Sequence, residues 1–359
     1  MPATDAPLNA AEYERRAAAV LEPGVFDWFA GGAGDEHALR ANTAAFRRFR
    51  LRPRVLVDVE HVTPATTVLG HELALPILVA PTAFQRLVHP EGELAMARGA
   101  AAAGTVMCIS TMATSSFADI EAAAPGAARW LQVYHFTDRE RTRALIESGR
   151  AAGASAIVLT VDTPVRGRRE RELGAGFRLP GIGRVPNVAA ALAGSRATSL
   201  EEVISRTLTW RDLEWLVSET GLPVLLKGVL TREDAELACE AGIAGVIVSN
   251  HGGRQLDGVD AGIDALGEVV EAVAGRVEVL VDGGVRRGLD AIVALALGAR
   301  AVLVGRPLVW ALAVGGEDGV AHLLGLLHDE VATALTLLGC PDPGAVSRAH
   351  VKEVHHGHI

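Results

Sequence analysis

The sequence predicts an α/β fold, specifically a (β/α)8 TIM barrel. From residue 76 onward, eight short apolar segments recur, each followed by polar residues, with helical patterns between them. Strands that are apolar along their whole length are typical of a parallel sheet covered on both faces, and eight such units fit a closed barrel. A doubly wound open sheet is the alternative, but it gives no reason for polar residues at every strand end.

Residues 1–75 are predicted to form a mostly helical cover rather than a barrel unit. A capping-box pattern at Asn9 opens the first helix, and an apolar turn containing Trp28 follows. We therefore interpret residues 1–359 as a single domain, with the cover at 1–75 and the barrel at 76–340.

The eight predicted strands share runs of apolar and β-branched residues. They are 77–80, 106–109, 130–133, 156–161, 224–226, 246–248, 277–281 and 301–304. Capping patterns at Ser116, Thr137 and Thr231 mark helix starts between them. Glycines suited to a left-handed C-cap close the helices, at Gly104, Gly153, Gly221, Gly242, Gly275 and Gly298.

The connection after the fourth predicted strand is long, with about sixty residues before the next strand. Residues 167–205 are rich in Arg, Gly, Pro, Ala and Ser and show little periodicity, which predicts a mobile, lid-like loop. Residues after about 341 are predicted to be a poorly ordered tail. We interpret its histidines as part of a polar tail rather than a metal site, namely His355, His356 and His358.

Composition excludes several functional classes. The formal net charge is −9 with no basic run, so nucleic acid is not an expected partner. The N-terminus lacks the apolar core of a signal peptide, and no apolar stretch is long enough to span a membrane. Three cysteines without metal-ligand spacing fit a reducing compartment, so a cytoplasmic location and no metal are expected.

Polar or glycine residues follow each predicted strand, and in a barrel these positions meet at one mouth. Taken singly, each has an ordinary explanation as a cap, a turn or a surface residue. Their joint occurrence favours a functional site. The candidates are Pro81, Thr82, Ala83, Ser110, Gln132, Tyr134, Thr160, Asp162, Lys227, Ser249, His251, Asp282, Gly283, Gly284, Arg286, Gly305 and Arg306.

The residue types indicate what this mouth could do. His251 has an unperturbed pKa near neutrality and is the natural general base, with Asp162 as a candidate to orient it. Arg254 offers a planar fork for a carboxylate. The glycines and arginines after the last two strands form a phosphate cradle. Thr, Ser and Gln side chains could bind a flat heteroaromatic ring, and Lys227 would stabilise negative charge on it.

The segment from Ser249 to Asp257, Ser-Asn-His-Gly-Gly-Arg-Gln-Leu-Asp, resembles the signature of the FMN-dependent α-hydroxy acid oxidases and dehydrogenases. The resemblance extends from about Glu12 to His350. It implies FMN as cofactor, a small-molecule 2-hydroxy acid as substrate and a homotetramer or homo-octamer. It assigns catalysis to His251, Asp162, Tyr134, Arg254 and Lys227, and substrate binding also to Arg169. The cradle residues Gly284, Arg286, Gly305 and Arg306 would hold the FMN phosphate.

Two positions depart from the family pattern. Trp28 stands where glycolate oxidase has a substrate-binding tyrosine, and Met112 stands where it has a tryptophan. The hydroxymandelate oxidases in this family also have a different aromatic residue at the first position. Both residues are expected to contact substrate, and together they favour an aromatic 2-hydroxy acid of the mandelate type.

The predicted function is oxidation of an (S)-2-hydroxy acid to the 2-oxo acid, with O2 reduced to H2O2. An aliphatic substrate such as lactate or glycolate, or another electron acceptor, is the alternative within the family. A flavin-free barrel acting on a phosphorylated metabolite and a redox-silent flavoprotein are alternatives from other classes. The residues do not distinguish whether His251 takes the carbon-bound proton or the hydroxyl proton.

Overall fold

The computed structural model describes residues 6–179, 181–197, 199 and 202–354. The three tail histidines considered above lie outside these residues. Within them, the strands are β1 (Phe49–Leu51), β2 (Thr66–Val68), β3 (His71–Leu73), β4 (Ile77–Val79), β5 (Met107–Ile109), β6 (Arg129–Val133), β7 (Ile157–Thr160), β8 (Val224–Val229), β9 (Gly245–Val248), β10 (Glu278–Asp282), β11 (Ala301–Val304) and β12 (Val351–Glu353).

Strands β4 to β11 form a closed parallel barrel in chain order, with β11 pairing back onto β4. The predicted (β/α)8 barrel is therefore confirmed. Each predicted strand overlaps an observed one, and the bounds differ by no more than three residues. The longest difference is at β8, where the strand continues through Lys227 to Val229.

The helices of the described residues cover the barrel and its mouth. They are α1 (Ala10–Val20), α2 (Pro23–Ala30), α3 (His37–Ala44), α4 (Glu93–Ala102), α5 (Phe117–Ala123), α6 (Arg139–Ala151), α7 (Glu170–Gly174), α8 (Pro186–Ala191), α9 (Trp210–Thr220), α10 (Arg232–Glu240), α11 (Gly262–Val273), α12 (Gly288–Ala296) and α13 (Arg306–Leu338). None of them is both long and apolar enough to cross a membrane.

The helix-capping predictions hold with one correction. Asn9, Ser116 and Thr231 accept hydrogen bonds at the N-termini of α1, α5 and α10. The predicted cap at Thr137 is wrong, because Asp138 is the N-cap residue of α6 and its carboxylate accepts from the N–H of Glu140. All six predicted C-cap glycines have positive φ.

Because side chains point alternately outward and inward along each strand, they form two hydrophobic cores, one between the barrel and the helices and one inside the barrel. Outward residues such as Ile77 and Val79 pack against the helices, whereas inward residues such as Leu78, Cys108 and Trp130 fill the barrel. The hairpin formed by β2 and β3 packs against this interior cluster and closes the end of the barrel opposite the mouth. The interior is therefore a packed core, and ligands can enter only from the mouth.

Two sequence predictions about irregular segments need correction. The connection after β7 is not structureless, because it contains α7 and α8, and Val188 of α8 is fully buried in the outer core. Its mobility stays a prediction. The expectation of a poorly ordered tail after 341 is wrong for residues 341–354, because β12 pairs antiparallel with β1. The apolar Val351, buried against the core, stabilises this pairing.

Candidate active site

Six predicted site residues form the uppermost layer of the barrel interior. Each lies two positions after a residue of the interior core, so the two-residue period of a strand points it inward as well. All are at least 93% buried. They are Ser110, Gln132, Thr160, Lys227, Ser249 and Asp282.

Hydrogen bonds join this layer across strands. The Gln132 amide donates to Thr160 Oγ1 at 3.1 Å, and its oxygen accepts from Ser110 Oγ and from the N–H of Thr111. Lys227 Nζ donates to Ser249 Oγ at 3.0 Å and lies 3.3 Å from Asp282 Oδ2. These contacts fix the orientation of every polar group at the floor of the mouth.

The pKa of Lys227 is raised even though it is almost completely buried. Burial alone would lower the pKa, but the charges of Asp282 and Asp162 and the Tyr134 hydroxyl outweigh it. Lys227 therefore keeps a positive charge beneath the mouth. The second oxygen of Asp282, Oδ1, is buried without a hydrogen-bond partner and can accept one from a ligand.

Above this layer lies a cavity of about 240 Å3. Of the predicted site residues, all but two line it. Asp162 lies behind His251, and Ser249 lies behind Lys227. The sequence-based grouping of these residues at one mouth is thus reproduced by the structure.

His251 and Asp162 form a hydrogen-bonded pair with a defined donor and acceptor. His251 Nδ1 lies 2.8 Å from Asp162 Oδ1. Burial alone would raise the pKa of Asp162, but the charge and hydrogen bond of His251 and the charge of Lys227 lower it to about 2. An ionised carboxylate only accepts hydrogen bonds, so Nδ1 carries the proton and Nε2 is left as the basic atom. Burial also lowers the pKa of His251, so its neutral form predominates at neutral pH.

The backbone of His251 has φ of +59°, a conformation that non-glycine residues rarely adopt. Its N–H donates to Ser249 Oγ at 3.0 Å, the same oxygen that Lys227 contacts. The base is thereby tied to the floor of the site. Such a conformation persists only where surrounding contacts enforce it.

Arg254 is held by the C-terminal end of α2. Its Nη1 donates to the carbonyl of Trp28 at 2.8 Å and to that of Gly31 at 2.9 Å. Its guanidinium carbon lies 5.1 Å from the centre of the Trp28 ring. Within the described residues, the edge formed by Nε and Nη2 makes no hydrogen bond, so it remains available to a carboxylate.

Arg306 makes more hydrogen bonds within the protein than the sequence suggested. Its Nε, Nη1 and Nη2 donate to the carbonyls of Phe29, Gly252 and Gly31 at 2.7 to 2.9 Å. It therefore ties α2 to the loop that follows β9. Two of its five N–H bonds remain for a ligand.

The buried arginines lower one another's pKa. For Arg254 burial is the main cause, and the charges of Arg169 and Arg306 add to it. Burial, with Arg286 and Arg169, lowers the pKa of Arg306 to about 9. A bound anion would relieve this repulsion, so the electrostatics of the cavity favour anionic ligands.

Gly283 and Gly284 bring backbone close to the cover. Both have φ near +90°, and a Cβ on Gly284 would lie 1.9 Å from the carbonyl oxygen of Asn42. Among the described residues, the guanidinium of neighbouring Arg286 makes one hydrogen bond, from Nη1 to the carbonyl of Val285. These groups and Gly305, at the N-terminus of α13, line the same cavity, and their role as a phosphate cradle stays a prediction.

These features fit FMN on structural grounds. The cradle suits a phosphate, the unpaired Asp282 Oδ1 suits a ribityl hydroxyl, and the polar floor suits the edge of a flat heteroaromatic ring. The charge of Lys227 would stabilise negative charge on that ring. The residues present thus match each part of the cofactor.

Several cavity residues were not predicted. Seven of them come from the connection after β7, whose lack of periodicity gave no signal, and others, such as Phe84 and Gly252, come from loops at the strand ends. The unpredicted residues that bear on chemistry or shape are Phe84, Thr163, Arg166, Leu179, Ile204, Arg206 and Gly252.

Comparison with known proteins decides the family. A family model described as FMN-dependent dehydrogenase matches residues 17–353. The chain belongs to the FMN-dependent dehydrogenase family. The predicted cofactor, FMN, is confirmed with it, and so is the predicted class of FMN-dependent 2-hydroxy acid oxidase at the level of the family.

Members of the FMN-dependent dehydrogenase family with known activities resemble this chain over nearly its whole length. An L-lactate oxidase of Nostoc sp. is 48% identical over 95% of this chain and 96% of its own length. Glycolate oxidase 3 of Oryza sativa subsp. indica is 46% identical over 96% and 95%. The crystal structure of mandelate oxidase with 3,3-difluoro-2-hydroxy-3-phenylpropionic acid has a TM-score of 0.89 and 46% identity, covering 97% of this chain and 100% of that chain.

Proposed function

We propose that this protein oxidises an (S)-2-hydroxy acid to the 2-oxo acid and transfers the two electrons to O2, giving H2O2. The observation that carries the proposal is the pairing of His251 with an ionised Asp162 beside the open edge of Arg254. One cavity thereby offers a base with a defined basic atom and a site for the substrate carboxylate. FMN, when bound, would accept the electrons of the substrate and pass them to O2.

The chain's own residues would hold the substrate at both ends. The open edge of Arg254 would bind the carboxylate, and Arg169 would add a second positive charge. Arg169 is held by the carbonyl of Arg254 and the side chain of Gln255, at 3.2 and 3.3 Å. Burial raises the pKa of Tyr134, so its hydroxyl stays protonated and can donate to the substrate.

His251 Nε2 would take the proton that the oxidation releases, from either the carbon or the hydroxyl. Asp162 would then stabilise the resulting imidazolium through the 2.8 Å contact to Nδ1. Thr163 Oγ1 donates to the same Asp162 oxygen at 3.0 Å and keeps the carboxylate oriented. Because His251 is held in place, the substrate must bind with its reacting proton next to Nε2.

We further propose that the substrate is aromatic, of the mandelate or 4-hydroxymandelate type. The cavity that His251 lines is also lined by Trp28, Phe84 and Met112, with the Trp28 and Phe84 rings 5.6 Å apart in an edge-to-face arrangement. Leu179 and Ile204 add apolar surface from the connection after β7. Trp28 Nε1 is buried without a hydrogen-bond partner, so it can donate one to the substrate.

The mandelate oxidase structures support the aromatic assignment, whereas the lactate and glycolate oxidases keep an aliphatic substrate as the second candidate. Anaerobic bleaching of the yellow holoenzyme by a panel of 2-hydroxy acids tests both. We expect (S)-mandelate to bleach the flavin with a higher kcat/KM than lactate or glycolate. If no 2-hydroxy acid bleaches the flavin, the proposed function is wrong. If the protein is colourless and cannot take up FMN, the FMN chemistry on which the function rests is wrong.

Three expectations from the sequence remain proposals. They are a homotetrameric or homo-octameric assembly, a cytoplasmic location, and O2 rather than another electron acceptor. The acceptor is tested by mixing the bleached enzyme with O2 and with a soluble quinone. A faster return of the yellow colour with the quinone would favour a dehydrogenase.

A further inference from the structure

The returning arm of the connection after β7 is fixed against the loop that follows β6. Ile204 forms an antiparallel bridge with Phe136. The N–H of Ser205 donates to the carbonyl of His135 at 2.8 Å, and the N–H of Thr137 donates to the carbonyl of Val203 at 2.8 Å. This arm therefore has a defined position, beside the loop that follows β6 and begins with Tyr134.

Arg206 follows this anchored segment and lines the cavity, although its side chain is exposed to solvent. The other cations on the cavity wall are engaged. Arg166 is ion-paired with Glu172, Lys227 with Asp282, and the remaining arginines donate to backbone carbonyls. Among the described residues, Arg206 is the one cavity-lining cation without a hydrogen bond or ion pair.

We propose that Arg206 is a substrate-entry residue, whose charge draws the carboxylate of a 2-hydroxy acid into the mouth and favours its binding over that of uncharged molecules. The proposal rests on the function proposed above and adds a residue to substrate recognition. Because no carboxylate among the described residues pairs with Arg206, its charge is not offset by a partner at the mouth. Its field reaches about one Debye length, roughly 10 Å at 0.1 M salt.

The charge of Arg206 should affect substrate binding and not the later reaction. Arg206 lies at the rim, whereas the base and the open edge of Arg254 lie deeper, so its charge should change how often the anion is captured rather than the reaction of the bound substrate. Loss of one exposed charge should weaken anion binding by about two- to fivefold at low ionic strength. Added salt should abolish the difference.

Arg211 supplies the matched control. It lies five residues further along the same segment, in the first turn of α9, and is also exposed. It does not line the cavity. Arg206→Gln and Arg211→Gln change the net charge of the protein equally, as do Arg206→Glu and Arg211→Glu, so any difference reports position rather than total charge.

The experiment measures anaerobic flavin bleaching by (S)-mandelate in the holoenzyme and these four variants, at about 0.01 M and about 0.5 M ionic strength. We expect Arg206→Gln to raise the apparent Kd by about two- to fivefold at low salt and Arg206→Glu to raise it further. The loss should lie in the apparent Kd rather than in the limiting bleaching rate constant. Methyl mandelate, which has no charge, should bind all variants alike.

Binding of benzoate, an unreactive carboxylate, measured by calorimetry with benzamide as its neutral counterpart, separates the two proposals. If no 2-hydroxy acid bleaches the wild-type flavin, the proposed function is wrong, and the benzoate titrations still decide whether Arg206 attracts anions. The entry role is overturned if Arg206→Glu behaves like Arg211→Glu. Equal weakening of the charged and neutral ligands would also overturn it, because that pattern indicates altered shape.

Discussion

Asn42 and Asn250 hold each other through two amide hydrogen bonds, each 2.9 Å long, between α3 of the cover and the loop after β9. Both side chains are at least 96% buried. Asn250 Oδ1 also accepts from the N–H of Gly253 at 3.0 Å. Because Asn250 precedes His251, and Asn42 packs against Gly283 and Gly284, this pair links the cover to both the base and the phosphate cradle.

We expect Asn42→Ala to lower the free energy of unfolding by about 1–3 kcal/mol, because it removes both hydrogen bonds between the two buried amides. It should also weaken FMN binding, since the cradle rests on Asn42. Asn187→Ala is the control, because Asn187 is a buried amide that bonds the N–H of Phe117 and the carbonyl of Ser115 instead. Thermal unfolding and flavin release measure the two effects. Equal flavin loss in both variants would show that the effect is general destabilisation.

His251→Gln should retain FMN but reduce the rate of anaerobic flavin bleaching at least about 100-fold, the usual scale for loss of a general base. Stopped-flow absorbance with (S)-mandelate measures this rate. Bleaching at the wild-type rate would remove the role given to His251. Flavin content, determined on the same samples, is the control for an intact cavity.

The bleaching rate should rise with pH on the acid side of its pH profile, the acid limb, and then reach a plateau. The neutral imidazole is the active form, and burial lowers the pKa of His251 from 6.5, so the limb should lie below pH 6.5. The Asp162 charge raises that pKa, so Asp162→Asn should move the limb to still lower pH. It should also slow the plateau rate at least about 100-fold, because the imidazolium loses its counterion. Thr163→Val, which keeps the carboxylate, should leave most of the rate. A limb that moves to higher pH would contradict this electrostatic account.

Arg286→Met should weaken FMN binding, whereas Arg287→Met should not. Arg286 lines the cavity, and its guanidinium makes one hydrogen bond within the described residues, while adjacent Arg287 is exposed and ion-paired with Glu330 at 2.6 Å. Removing the Arg286 charge would take away the phosphate contact predicted for it. Fluorescence of released flavin on dilution gives the Kd. Tight FMN binding by Arg286→Met would place the phosphate elsewhere.

Trp28→Tyr combined with Met112→Trp should shift preference from mandelate towards glycolate. The tyrosine adds a hydroxyl that can hold a small substrate, and the larger indole fills space that a phenyl ring would use. Apolar pockets discriminate by about 1–3 kcal/mol per group, so a change of tenfold or more in the ratio of the two kcat/KM values is expected. A wild-type protein that already turns over glycolate as well as mandelate would exclude the aromatic assignment and leave the 2-hydroxy acid chemistry intact.

Local sequence patterns predicted the barrel strands and nearly all of the cavity floor, for one physical reason. Side chains alternate between the two faces of a strand, so the residue two positions after an inward-pointing apolar residue also points into the barrel. Gln132 and Lys227 could therefore be placed from sequence. The pairing of His251 with Asp162 could be anticipated because both follow strands that open at one mouth.

The features that escaped prediction depend on contacts between distant segments. Asn42 lies in an ordinary helical pattern, and nothing local indicates that its amide meets Asn250, 208 residues away. Arg206 belongs to a segment without periodicity, and its place at the mouth follows from backbone bonds to residues 135–137. Likewise, the contacts of Arg306 with the carbonyls of Phe29 and Gly31 arise only once α2 is docked.

The antiparallel pairing of β1 with β12 has a consequence for biosynthesis. It joins Phe49 to Glu353, so the segment that carries Trp28 and Asn42 cannot complete its contacts until almost the whole described chain has left the ribosome. Barrel closure itself waits for β11 to reach β4. During translation β1 and the edge of β4 that meets β11 therefore stay without their partners and prone to aggregation, and the cavity is assembled last. A chain ended after α13 would keep all eight barrel strands yet leave β1 without its partner.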